Sequence, residues 1–186
     1  MRTITLIYDG TFNTYRWLKA MMWARNEFHD LGYKIKYASI FDYVPYPKST
    51  KVPYEGIKLK WDTIGRFDIV FLAFHHSQSL IGQNSEKRIA LVKFLKQKCK
   101  LLCWLDTADS TGTCLFDVLP YVDLYFKKQL LKDTNLYTNE FYCARLYSDY
   151  YHQKLGLTDE SLASIHYHTA LKEYLHKLRV SWNVAF

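Results

Sequence analysis

The chain has 186 residues, of which 49% are apolar, 17% aromatic and 23% charged, with a net charge of +7. That is enough to bury the core of one domain, and the high aromatic share argues against disorder. No apolar run approaches the roughly 20 residues a membrane helix needs. The opening Met1-Arg2-Thr3-Ile4-Thr5 lacks the apolar core and cleavage site of a signal peptide, so the chain reads as cytoplasmic.

In chain order, Arg2 to Tyr8 reads as a buried strand. Thr14 to Leu31 follows as a helix, with Leu18, Met21, Met22 and Phe28 on one face and Gly32 as its stop. Residues 33 to 41 are β-rich, and the proline-bearing stretch from Asp42 to Gly56 reads as a loop. Ile57 to Ile64 is predicted as a short helix. "FDIVFLAF" (Phe67 to Phe74) is a continuous apolar run, of the kind buried on both faces of a parallel sheet. "HHSQSLIGQN" is a predicted loop, and Ser85 is expected to cap a helix reaching Lys98. "KLLCWLD" (Lys100 to Asp106) is a strand, "TADSTGT" a loop, Thr113 to Leu119 a short helix, and "VDLYFKK" a fifth strand. Beyond Leu130 the clearest element is a helix from Ser161 to Leu178, behind the acidic pair Asp159-Glu160.

Strands alternating with helices at this spacing predict right-handed crossovers. The expected fold is α/β: a three-layer Rossmann-like sandwich with a mainly parallel five-stranded sheet. Residues 1–130 form that domain, and residues 131–186 are expected as a helical extension packed on it.

In such a sheet, ligands collect outside the carboxyl ends of the strands. Those ends are Asp9-Gly10-Thr11-Phe12-Asn13, Phe41-Asp42-Tyr43, His75-His76-Ser77, Asp106 to Gly112, and Lys127-Lys128. The first turn has one glycine where a dinucleotide fingerprint needs three, and Asp9 adds negative charge where a phosphate would sit. It reads as a helix cap by Asn13 or Thr11. His75-His76 could supply a general base, since imidazole titrates near neutral pH. A metal held by both is disfavoured, because neighbours on an extended segment point to opposite sides. In "DTADSTGT", Asp109 or Ser110 is a natural helix cap, and the loop's carboxylates and hydroxyls suit the hydroxyls of a sugar. His166 and His168 lie two apart in a predicted helix and do not share a face, so they read as structural. Cys99, Cys103, Cys114 and Cys143 have neither zinc nor disulfide spacing. No metal motif and no nucleic-acid motif is present, while the positive charge leaves room for peripheral contact with a membrane surface.

"FDIVFLAF", "KLLCWLDTADSTGT" and "FDVLPYVDLYFKKQLLKD" together resemble the amino-terminal half of bacterial GT-B glycosyltransferase-like proteins, which act in surface polysaccharide or lipopolysaccharide assembly. The resemblance implies an acceptor-side domain, with the nucleotide sugar bound by a second α/β domain across a cleft. It implies that Asp9, Gly10, Thr11, His75, His76, Asp106 and Asp109 face that cleft, with Asn13 and Ser110 beside them, and that His75, His76 or Asp106 deprotonates an acceptor hydroxyl. The partners implied are a sugar or glycan acceptor and, only with a second domain, a nucleotide sugar; no cofactor is implied. The sequence departs from the family in having room for one such sheet. It therefore reads as a fragment or a free-standing domain, inactive in transfer by itself. Two other readings stand beside this one. One is a non-catalytic α/β binding module; the other is a flavodoxin-like flavin protein, resting on Thr11, Asn13 and Thr14. In the shared-site reading, Asp9, His75 and Asp106 line one solvent-reachable depression, where the two carboxylates would raise the imidazole pKa.

Overall fold

The computed structural model describes residues 1–39, 57–58, 65–159 and 169–182. The strands are β1 (Arg2–Tyr8), β2 (Tyr33–Ser39), β3 (Ile57–Lys58), β4 (Phe67–Ala73), β5 (Cys99–Asp106), β6 (Leu124–Lys127) and β7 (Leu178–Val180). They form one sheet in the order β3-β2-β1-β4-β5-β6-β7, and every neighbouring pair is parallel. The expected parallel α/β sheet is present, with seven strands where five were predicted.

The two additional strands were hidden for different reasons. β3 is two residues long and lies where a short helix was predicted; the rest of that prediction, residues 59–64, lies outside the described residues. β7 falls at the end of the predicted helix 161–178. Of that helix, residues 161–168, with His166 and His168, lie outside the described residues. The described part is a 3-10 turn at Lys172–Lys177 that runs into β7. Leu178 has moved into the sheet, pairing with Tyr125 of β6. The segment after residue 130 thus completes the sheet as well as packing on it. Asp42, Tyr43 and the proline-bearing loop also lie outside the described residues.

Two apolar layers sandwich the sheet. On one face Ile4, Leu6, Tyr8, Ala73 and Leu105 meet Leu18 and Met21 of α1 (Phe12–Trp23). On the other, Ile7, Val70, Leu72, Leu102 and Trp104 meet Leu91, Val92 and Leu95 of α4 (Ser85–Lys96). The period-two alternation of strand side chains sends neighbours such as Leu6 and Ile7 into opposite layers. Trp104 and Leu72 are fully enclosed.

The helix predicted over 14–31 is two helices, α1 and α2 (Arg25–Asp30), joined at Ala24. A four-residue helix, α3 (Leu80–Gln83), lies inside the segment predicted as loop. α4 is capped by Asn84, whose side chain accepts from the Lys87 N–H at 2.9 Å. The expected cap, Ser85, instead donates to Asp117 Oδ2 at 2.5 Å. Thr113 to Leu119 is reduced to a 3-10 turn at Phe116–Val118, with no side-chain cap from Asp109 or Ser110. α5 (Leu146–Leu155) was not foreseen. Arg88 is buried and forks onto Asp117 (2.6 Å) and the carbonyls of Ile81 and Gly82, tying α3 and α4 to that 3-10 turn. Among the described residues no helix is long and apolar enough to cross a membrane.

Candidate functional site at the switch point

From β1 the chain builds outward through β2 to β3, and from β4 it builds the other way to β7. The direction reverses between β1 and β4, and the crevice outside their carboxyl ends is where open α/β sheets hold ligands. Asp9-Gly10-Thr11 follows β1 there, and His75-His76 follows β4.

Registered pairing aligns Ile7, Leu72, Trp104, Tyr125 and Leu178 across five strands. Two residues further along come Asp9, Phe74, Asp106 and Lys127, so the apolar row gives way to charge as the strands end. Both carboxylates are enclosed, Asp9 at 0% and Asp106 at 2% exposure.

Asp9 is fully occupied. Its Oδ1 accepts from the Thr11 N–H at 2.9 Å, and its Oδ2 accepts from the His75 N–H at 2.6 Å and the Thr14 hydroxyl at 3.2 Å. Gly10, at φ 75°, makes the backward turn that lets a side chain reach the amide two residues on. Thr11 caps α1, accepting from the Thr14 N–H at 3.3 Å, one of the two caps expected. Asn13, the other candidate, donates to Gln78 Oε1 at 3.2 Å and links the two switch-point turns. The Thr11 and Thr14 groups that could face a phosphate at the start of α1 face the Asp9 carboxylate. Burial raises the Asp9 pKa, opposed by the hydrogen bonds from His75 and Thr11.

Asp106 is equally engaged. Oδ1 accepts from the Ala108 N–H at 2.8 Å; Oδ2 accepts from the Tyr125 hydroxyl and lies 3.2 Å from Lys127 Nζ. Lys127 has no exposed surface, and its ammonium also donates to the carbonyls of Ala108 (3.1 Å) and Thr113 (2.8 Å). Tyr125 in turn accepts from the Leu115 N–H at 2.9 Å. Burial, then the Asp106 charge, pushes its phenol well above the usual value. These three side chains pin the loop after β5. Asp109 ion-pairs with Lys128 at 2.6 Å, and Ser110 Oγ accepts from the Gly112 N–H at 3.2 Å.

The histidines differ from expectation. Their rings stack, with centroids 4.7 Å apart and planes 24° from parallel. Adjacent residues were expected on opposite sides, but β4 has ended at Ala73 and the turn that follows is free of strand alternation. Gly82 fits under this turn because a Cβ there would lie 2.0 Å from the His75 carbonyl oxygen. The expected upward pKa shift is also reversed. His75 falls to about 4, because burial and the neighbouring His76 outweigh Asp109 and Asp106. His76 is likewise lowered, by burial above all, with Lys127 and Arg145 opposing Asp106 and Asp109.

A measurable consequence is that the His75 ring proton signals should titrate with a midpoint near pH 4 in the folded protein. The unfolded chain takes up that proton near 6.5, so folding stability should fall as pH drops from 6.5 towards 4. A His75 midpoint at or above 6.5 would show that the carboxylates dominate after all.

Asp9, His75 and Asp106 thus share one edge of the sheet, as parallel connectivity requires. Asp9 and Asp106 do not line a solvent-reachable depression; they hold backbone N–H groups from within. The half-buried imidazoles are the titratable side chains of these two turns that reach the surface. Ser77 was not singled out from sequence, yet its backbone N–H donates to His75 Nδ1 at 3.3 Å. A neutral ring that accepts at Nδ1 carries its proton on Nε2, so His75 has a hydrogen-bond donor at Nε2. His76 Nδ1 is enclosed and has no hydrogen-bond partner among the described residues. Among the described residues no group of three or more His, Cys, Asp or Glu could hold a metal ion.

The chain matches no family model, no curated protein and no solved structure.

Proposed function

We propose that this chain is an acceptor-side domain of a glycosyltransferase-like protein of surface polysaccharide assembly, taking a hydroxyl-bearing ligand at the β1–β4 switch point and transferring no sugar by itself. The sugar class comes from the sequence resemblance. The stacked pair of neutral imidazoles at that crevice is the observation that carries the chemistry. At neutral pH a half-buried, uncharged imidazole has its lone pair open to an acceptor hydroxyl, while its lowered pKa makes it a weaker base than a ring titrating near 7. In this reading the pair divides the work. His75, with Nδ1 taken by Ser77, donates from Nε2 to the ligand oxygen, and His76, whose Nδ1 is enclosed, accepts the proton at Nε2. Asp106, surrounded by three donors, keeps the loop in place; Asp9 holds the His75 backbone.

The test is nitrogen-15 spectroscopy of the histidine rings during titration with oligosaccharides and, separately, nucleotide sugars. Oligosaccharides should shift the His75 and His76 signals, nucleotide sugars should leave them unchanged, and no nucleotide should be released. A ligand-free His75 protonated at Nδ1 would remove the division of roles. Nucleotide release that vanishes in His76→Ala would show a complete transferase, and a yellow preparation with bound flavin would replace the sugar reading altogether.

A further inference from the structure

Helix α1 has two working faces. Thr14, Trp17, Leu18 and Met21 are buried against the sheet. At 100° per residue, Phe12, Arg16, Lys19 and Trp23 fall within about 60° of arc on the other side. This outer stripe is unusual for a solvent face. Phe12 is 47% and Trp23 59% exposed, and the twelve residues of the helix include no acid. The cations lie among the rings: Arg16 is 5.8 Å from the Phe12 centroid, and Lys19 is 5.8 Å from Tyr15 and 5.7 Å from Trp23. Cation–π pairing accounts for the ring–cation contacts but not for leaving Phe12 and Trp23 in water, where large exposed rings mark contact surfaces.

We propose that the outer face of α1 docks on an anionic lipid surface. Aromatic rings settle at the headgroup boundary, and lysine and arginine reach the lipid phosphates while their stems lie along apolar surface. A helix without an acidic residue, on a chain of net charge +7, is complementary in charge to such a surface. The helix begins at Thr11, beside the switch point, so docking would hold that edge of the sheet within one helix length of the bilayer.

The experiment is co-sedimentation with vesicles of phosphatidylcholine alone and of phosphatidylcholine with phosphatidylglycerol, with tryptophan emission followed in parallel. Binding should be at least about tenfold tighter to the anionic vesicles and should weaken in about 0.5 M salt. Phe12→Ser with Trp23→Ser, and separately Arg16→Glu with Lys19→Glu, should each lose about tenfold or more. Lys34→Glu with Lys36→Glu makes the same charge change on β2. Those lysines alternate with Tyr33, Ile35 and Tyr37, which pack in the layer that α1 covers, so they lie on the opposite face of the sheet. That variant should bind within about twofold of the parent. The proposal is overturned if the two charge reversals weaken binding equally, if anionic vesicles do not bind, or if a short DNA duplex binds more tightly than the vesicles and through the same residues.

Discussion

Replacing Lys127 by methionine should lower folding stability by about 3–5 kcal/mol, the range seen when one partner of a buried ion pair is removed. Methionine fills most of the volume, so the loss isolates the ammonium. Asp106, 2% exposed, would keep a charge facing only the Ala108 N–H and the Tyr125 hydroxyl. The carbonyls of Ala108 and Thr113 would lose their donor as well. Adding Asp106→Asn should recover part of the loss, because the unpaired charge goes, but not all of it, because those carbonyls stay unpartnered. Urea denaturation of the two variants at neutral pH measures both steps. Against a typical total of about 5–15 kcal/mol, the single variant stands near the edge of folding. A loss under about 1 kcal/mol would mean that the ammonium is dispensable to the loop.

Asp9→Ala should cost about 2–4 kcal/mol, at about 1–3 for each buried donor left without an acceptor, offset by relief from burying the carboxylate. Two opposing effects meet here. Burial disfavours the Asp9 charge, as its raised pKa records. Against that stand three donors from two separate turns, the Thr11 and His75 N–H groups and the Thr14 hydroxyl. Burial wins for the ionisation of Asp9, whereas the donors decide the cost of the substitution, because each loses its acceptor. The variant should also loosen the His75 backbone and move the ring's midpoint from about 4 back towards 6.5, which proton spectroscopy reads directly. A stable variant with an unmoved His75 midpoint would separate Asp9 from the site.

The strands were legible because a parallel sheet buried on both faces demands continuous apolar runs, and Arg2–Tyr8, Phe67–Ala73 and Cys99–Asp106 supply them. The cap at Thr11 and the placement of Asp9, His75 and Asp106 on one edge were legible for the same local reasons. Hydroxyls cap helices, and parallel strands end together. Other features depend on contacts far away in sequence. Nothing around Ala24 marks the joint between α1 and α2. β7 is a strand because Tyr125 and Lys127 present a free sheet edge to Leu178–Val180. The burial of Lys127 requires Asp106, Ala108 and Thr113 from another strand and its loop.

The histidine pair shows the division most clearly. The chain by itself determined that two imidazoles stand at the carboxyl end of an apolar strand. Whether they are charged follows from how much water the packed turn excludes and how far the carboxylates lie. For His75 that balance is set by burial above all and then by the neighbouring His76 ring, against Asp109 and Asp106. Local order follows from neighbouring residues; protonation follows from the three-dimensional sum of desolvation and charge, which exists only once the sheet has closed.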